Sequence, residues 1–233
     1  MVTFDPPGAY ASSRPGDCTL KEMLTCAIET LNYFGIEKPI DTIGHSMGAF
    51  CALAFALDNP KRVNRLVLIG ALSGFPAVMR WGIPHNWRWW RDREWWQVSW
   101  LGARIMLGLG NLAVHKKLSN EVEKASFVDK SLAPHWTIQP GDRNRPAPFR
   151  VAWQRNVLRY DLTDQLSTLN IPVLLLFGRH DPQTPIQIAQ QLRSLLPDTR
   201  LVVFENSGHS PFVEEPEKFS HAVSEFLAPC GNK

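Results

Sequence analysis

The pentapeptide Gly44-His45-Ser46-Met47-Gly48 constrains this chain more than any other feature. It follows the run Ile40 to Ile43, rich in β-branched residues, and precedes a small-residue helical stretch from about Ala49 to Leu57. Asn59-Pro60 ends that stretch. A strand must therefore turn into a helix within one tight bend. Glycines on both sides of Ser46 permit the bend and leave the serine on a strained tip with its hydroxyl exposed. The helix start aims amide groups at the same spot, where a developing oxyanion would be stabilised. Alone, the pattern also fits an ordinary glycine-rich turn, so the rest of the chain has to decide.

The alternation of strand and helix recurs. Arg65 to Gly70, Pro172 to Gly178 and Leu201 to Phe204 read as further strands, and Val2-Thr3-Phe4 as a short one. Thr19-Leu20-Lys21-Glu22 is a capping box. It opens a helix with Met23, Ala27, Leu31 and Phe34 on its apolar face and Gly35 as its stop. Further helices are expected from about Ile186 to Leu196 and from about Pro216 to Leu227. Continuous apolar strands between helices imply an α/β fold with a parallel sheet covered on both faces. From about Leu72 to Tyr160 no buried strand is expected. Helical patterns at Trp100 to Leu112 and Asn120 to Leu132 make this stretch a helical insertion. The expected division is a core of 1–71 and 161–233 with an insertion at 72–160.

A serine hydroxyl is a poor nucleophile unless a base takes its proton, and the base needs an orienting acid. Asp181 stands in Gly178-Arg179-His180-Asp181, just past a strand. His209 stands in Asn206-Ser207-Gly208-His209-Ser210-Pro211, just past the last strand. Singly, His209 reads as a surface histidine in a Gly/Ser loop and Asp181 as a turn residue before Pro182. Jointly they differ. Parallel strands end on one edge, where ligands bind. Ser46, Asp181 and His209 then emerge together, in the chain order nucleophile, acid, base.

Composition excludes other classes. Apolar residues make up 44% and charged residues 20%, which is globular rather than disordered composition. Lys and Arg number 25 against 22 Asp and Glu, a net +3 too weak to argue for nucleic acid. No apolar run approaches the ~18 residues of a membrane span. The start, Met-Val-Thr-Phe-Asp-Pro-Pro, has no leader pattern, so the expected location is cytoplasmic. Cys18, Cys26, Cys51 and Cys230 are scattered, and His85, His115, His135 and His221 lack ligand spacing. No metal site and no cofactor is expected. His45 reads as a packing or hydrogen-bonding residue and His180 as solvent-facing.

These motifs resemble the α/β-hydrolase superfamily. The resemblance covers the elbow, the acid loop, the histidine loop with Phe212-Val213-Glu214-Glu215-Pro216, and Asp5-Pro6-Pro7-Gly8. It also covers the place of the insertion, which in this family holds a helical cap over the active site. The resemblance implies acyl transfer to water. Ser46 would attack, His209 would carry the proton, Asp181 would fix the His209 tautomer, and the Met47 amide would donate to the oxyanion. It further implies eight core strands, of which five candidates are found. Val2 to Ser13 matches the fourth strand and its loop, with Tyr10 where a glycine usually stands. Strands one to three, about 40–60 residues, are expected to be missing. The loop after the third supplies the second oxyanion donor, whose removal typically costs ~2.7–4 kcal/mol. Open strand edges would also invite self-association into a homo-oligomer.

Seven of the nine tryptophans fall between Trp81 and Trp100, interleaved with Arg88, Arg91 and Arg93. Three readings compete. The rings pack a cap and line an acyl pocket, with Trp81, Trp87, Trp89 and Trp90 as candidate substrate contacts; or they sit at a lipid interface; or they stack on nucleic acid, which the weak charge disfavours. The expected function is a serine hydrolase cleaving a small apolar carboxylic ester. A carbon–carbon bond hydrolase, a lactonase, a cofactor-free haloperoxidase and a proline iminopeptidase share the serine, although iminopeptidases usually carry Trp where Met47 stands. Dehalogenases and epoxide hydrolases carry Asp in place of Ser46. The rival from another class is a degenerate, ligand-binding form of the fold.

Overall fold

The computed structural model describes residues 1–5, 7, 12, 16, 19–82, 93–110, 112–136, 156 and 159–229. Its strands are β1 (Ile40–His45), β2 (Val63–Ile69), β3 (Val173–Gly178) and β4 (Thr199–Phe204). Its longer helices are α1 (Leu20–Tyr33), α2 (Met47–Asp58), α3 (Arg93–Met106), α4 (Leu112–Ser126), α5 (Ile186–Leu195) and α6 (Pro216–Leu227). Among the described residues the sheet has four strands in the order β1-β2-β3-β4, every pair parallel. Gly44, Leu68, Leu175 and Leu201 lie side by side across it.

Both faces are covered, as continuous apolar strands require. Leu66, Leu68, Leu175 and Phe177 face α1, α2 and α5. Val67, Ile69, Leu174 and Leu176 face Phe204 and α6. Every residue of β3 is buried. α2 is buried on most of its circumference, and its alanines at 49, 52, 54 and 56 let it lie close under the sheet. Truncating one of the buried leucines would cost about 2–5 kcal/mol.

The N-terminal helix forms as its caps dictate. Thr19 Oγ1 accepts the Glu22 N–H at 3.3 Å, and Glu22 Oε2 accepts the Thr19 N–H at 2.9 Å. At the other end Ile36 N–H reaches Leu31 O and Gly35 N–H reaches Asn32 O, a Schellman stop. The expected apolar face is corrected at one residue. Met23 and Leu31 are buried, but Phe34 is 58% exposed and stacks edge-on against Tyr33.

Two further expectations change. Val2 to Phe4 joins no ladder, and Val2 and Phe4 are exposed. Three residues without a partner strand do not hold a sheet position. Among the described residues β1 is accordingly paired on one side, and Ile43 is 52% exposed. In the segment 72–160 the helices fall at 93–106 and 112–126 instead of 100–112 and 120–132. Gly108, at φ +76°, sets the break: Leu109 N–H bonds Arg104 O and Gly108 N–H bonds Ile105 O, ending α3 in a second Schellman stop. The two helices pack through Leu101, Ile105, Val114 and Leu118.

Both ends of this segment are tied to one point. Gly74 and Asp161 form an antiparallel bridge, Leu162 N–H bonds Ser73 O, and the Ser73 and Thr163 hydroxyls are 2.9 Å apart. No helix among the described residues is long and apolar enough to cross a membrane.

Candidate active site

Ser46 joins β1 to α2 with φ +55° and ψ −120°, the single non-glycine residue at positive φ among the described residues. Such a conformation costs on the order of 1–3 kcal/mol and persists where its surroundings enforce it. Here the Ser46 N–H is held by Ile69 O on β2 at 2.9 Å. Gly44 lies so close to the next turn that an added Cβ would sit 2.7 Å from Ala49 Cα. Serine at a helix start normally caps the helix with its hydroxyl. Ser46 makes no such capping bond. Met47 opens α2, and its N–H has no acceptor within the helix.

Asp181 and His209 meet below the same strand ends. His209 Nδ1 lies 2.7 Å from Asp181 Oδ2, with the two side chains 5% and 0% exposed. The carboxylate is saturated. Its Oδ1 accepts the N–H groups of Gln183 at 2.7 Å and Thr184 at 3.0 Å, and Oδ2 also accepts the Thr184 hydroxyl at 2.6 Å. Burial opposes its charge, but the facing His209 and the bonds from His209 and Thr184 outweigh burial and hold the carboxyl below its ordinary range. A charged Asp181 places the imidazole proton on Nδ1. The lone pair is then on Nε2, which is buried and bonded to nothing. Buried polar atoms without partners are rare, and a catalytic role is one reason they persist. No hydrogen bond joins Nε2 to the Ser46 hydroxyl; such contacts often tighten only when substrate binds.

Two neighbours shape the pair. Gly70 ends β2 at φ +53°, and an added Cβ would stand 2.9 Å from His209 Cε1 and 3.1 Å from Nδ1. The imidazole therefore rests on bare backbone. Since Ile69 holds Ser46, the serine and the imidazole flank the end of β2. His45 donates from Nε2 to the His209 carbonyl at 2.9 Å and packs edge-on against Phe212. Burial, then the nearby His209, lower its pKa to about 4, so the ring is neutral at pH 7.

The structure brings Ser46, Met47, Asp181 and His209 to one edge of the sheet. Of the four tryptophans expected to contact substrate, Trp87, Trp89 and Trp90 lie outside the described residues. Trp81 packs on the core, and its indole N–H donates to Gln191 Oε1 at 3.0 Å. It lines a cavity of about 360 Å³ with Arg80, Gln187, Gln190, Gln191 and Ser194. Thr184 and Gly70 stand outside every sequence motif of the site. A hydroxyl three residues after Asp181 was the available signal for Thr184; Gly70 had none beyond ending a strand. Among the described residues no three His, Cys, Asp or Glu side chains cluster for a metal.

The profile of the alpha/beta hydrolase fold matches residues 1–216. A pimeloyl-[acyl-carrier protein] methyl ester esterase from Vibrio campbellii is 31% identical over 191 residues, 80% of this chain and 69% of that protein. A 2-hydroxymuconate semialdehyde hydrolase from Pseudomonas putida is 31% identical over 234 residues, 98% of this chain and 76% of that protein. An alpha/beta fold family hydrolase from Bacillus anthracis superposes with a TM-score of 0.78 at 21% identity, covering 96% of this chain and 80% of its own. Sheet order, strand-to-helix elbow and relatives agree: the chain belongs to the α/β-hydrolase family and is one of its enzymes.

Proposed function

We propose that this hydrolase is a serine esterase working through an acyl-enzyme, with Ser46 as nucleophile, His209 as base and Asp181 as the orienting acid. One observation carries the reading. His209 is fixed to a buried, charged carboxylate by Nδ1, while its buried Nε2 has no partner. Ser46 Oγ attacks the ester carbonyl carbon as its proton passes to Nε2. The oxyanion is met by the Met47 N–H at the start of α2. The intermediate collapses, the leaving alkoxide takes the proton from Nε2, and water repeats the cycle on the acyl-enzyme. Asp181 stabilises the imidazolium in both halves.

The segment 72–160 acts as a cap over this edge. Support comes from its reach to the site, since the His209 N–H is bonded to Ser126 O. Its aromatic, apolar character favours an apolar acyl group. A second reading, carbon–carbon bond hydrolysis, uses the same residues. It is favoured by the 31% identity that the 2-hydroxymuconate semialdehyde hydrolase keeps over 98% of this chain.

Labelling with a fluorophosphonate tests the nucleophile: wild type should label once, and Ser46→Ala should not. Equal labelling of both would overturn the assignment. Turnover of p-nitrophenyl butyrate against 2-hydroxymuconate semialdehyde then separates the two substrate classes. The ester should be the faster.

A further inference from the structure

Helix α4 ends on the loop that carries His209. The carbonyl of Ser126, its last residue, accepts the His209 N–H at 2.8 Å. Gly208 approaches that carbonyl so closely that no side chain would fit between them. The Ser126 hydroxyl donates to Val122 O and accepts from Gln183 Nε2 at 2.8 Å. Gln183 in turn donates its backbone N–H to Asp181 Oδ1. Ser126 therefore touches both the base loop and the acid loop, and it is 3% exposed.

Glu214 closes the same junction from the core side. Its Oε2 accepts the Gly208 N–H at 2.6 Å. Its Oε1 accepts the Val128 N–H at 2.7 Å and the Asp129 N–H at 3.4 Å, just past the end of α4. One carboxylate thus bridges the histidine loop and the segment between β2 and β3. The residues 205–210 carry no regular structure beyond a turn, so their backbone groups depend on such partners.

We propose that Ser126 and Glu214 form a clasp that positions His209, so that the base is aligned only while the end of α4 is seated on its loop. Both are positioning residues. The proposal rests on the reading of His209 as the base. It adds that the helical segment, beyond covering the site, holds a part of it in place.

The test compares Glu214→Gln and Ser126→Ala with wild type. Glutamine keeps the length but turns one accepting oxygen into a donor, which releases one side of the bridge. Alanine removes the bond to Gln183 and keeps the carbonyl. Fluorophosphonate labelling gives both the number of competent sites and the rate constant of labelling; p-nitrophenyl butyrate gives kcat and KM per competent site. We expect full stoichiometry, with kcat and labelling rate about tenfold lower in Glu214→Gln and KM within about twofold. A purely structural role would lower the number of sites and leave the rate per site unchanged. A fall beyond about threefold per site in either variant supports the clasp, and smaller changes in both overturn it. If Glu214→Gln does not fold, Ser126→Ala decides by the same threshold. If the wild type neither labels nor turns over, the reading of His209 as base fails first, and the clasp falls with it.

Discussion

His45 and His209 are held together by more than proximity. The His45 Nε2–H donates to the His209 backbone carbonyl at 2.9 Å, and the two rings lie 4.7 Å apart. The residue before the candidate nucleophile thus anchors the candidate base. Burial first, and then the neighbouring His209, disfavour a positive charge on His45, so this ring stays neutral at pH 7.

This neutrality has a pH consequence. Unfolded, His45 takes a proton near pH 6.5; folded, only near about 4. Between these values the unfolded state binds more protons, so stability rises with pH and is lost on acidification. The loss should be about 1.4 kcal/mol per pH unit inside this window. Urea midpoints across pH 4 to 6.5 would show it. In His45→Gln, whose amide can still donate to His209 O, the slope should flatten; an unchanged slope would move the effect to another group.

Asp181→Asn should lower kcat by about 10⁴, because the amide presents the wrong partner to His209 Nδ1. Thr184→Val, which removes the 2.6 Å hydroxyl bond to Oδ2, should lower it by about tenfold. Steady-state assays of both, with circular dichroism for fold, check the order. If Thr184→Val were the more damaging, the acid would have been misassigned.

Gly70→Ala should reduce kcat by about 10²-fold, since the new methyl would press on the His209 ring. Positive φ adds about 1–2 kcal/mol of strain for alanine. The readouts are kcat and Tm together. Normal kcat with a reduced Tm would mean that the ring can move aside.

Arg65 staples the far end of the sheet. Nε and Nη2 pair with both oxygens of Asp41 on β1, and Nη1 donates to the carbonyls of Phe226 and Ala228 at the end of α6. The pair is partly exposed, at 19% and 31%, which screens the charges. Arg65→Met should cost about 1–3 kcal/mol in chemical denaturation. Arg65→Lys should recover little, because an ammonium cannot span the fork. Full recovery by lysine would reduce the contact to simple charge.

The sequence by itself determined whatever is encoded within a few residues. The capping box at Thr19 and Glu22, the stop at Gly35, the strand-to-helix bend at Ser46 and the buried run of β3 are all written in local hydrogen bonding and apolar periodicity. From those elements the parallel arrangement follows, and with it the shared edge for Ser46, Asp181 and His209. The tertiary structure alone decided the long-range partners. Asn156, fully buried, caps α1 from 136 positions away by accepting the Leu20 N–H at 2.7 Å. Ser126 and Glu214 meet the His209 loop across the interval between two elements that pattern reading treats separately. The same holds for Val2 to Phe4, whose apolar residues suit a strand but find no neighbour to pair with. A single bond between distant residues leaves no periodic trace in a sequence, because its geometry exists only once both backbones are in place.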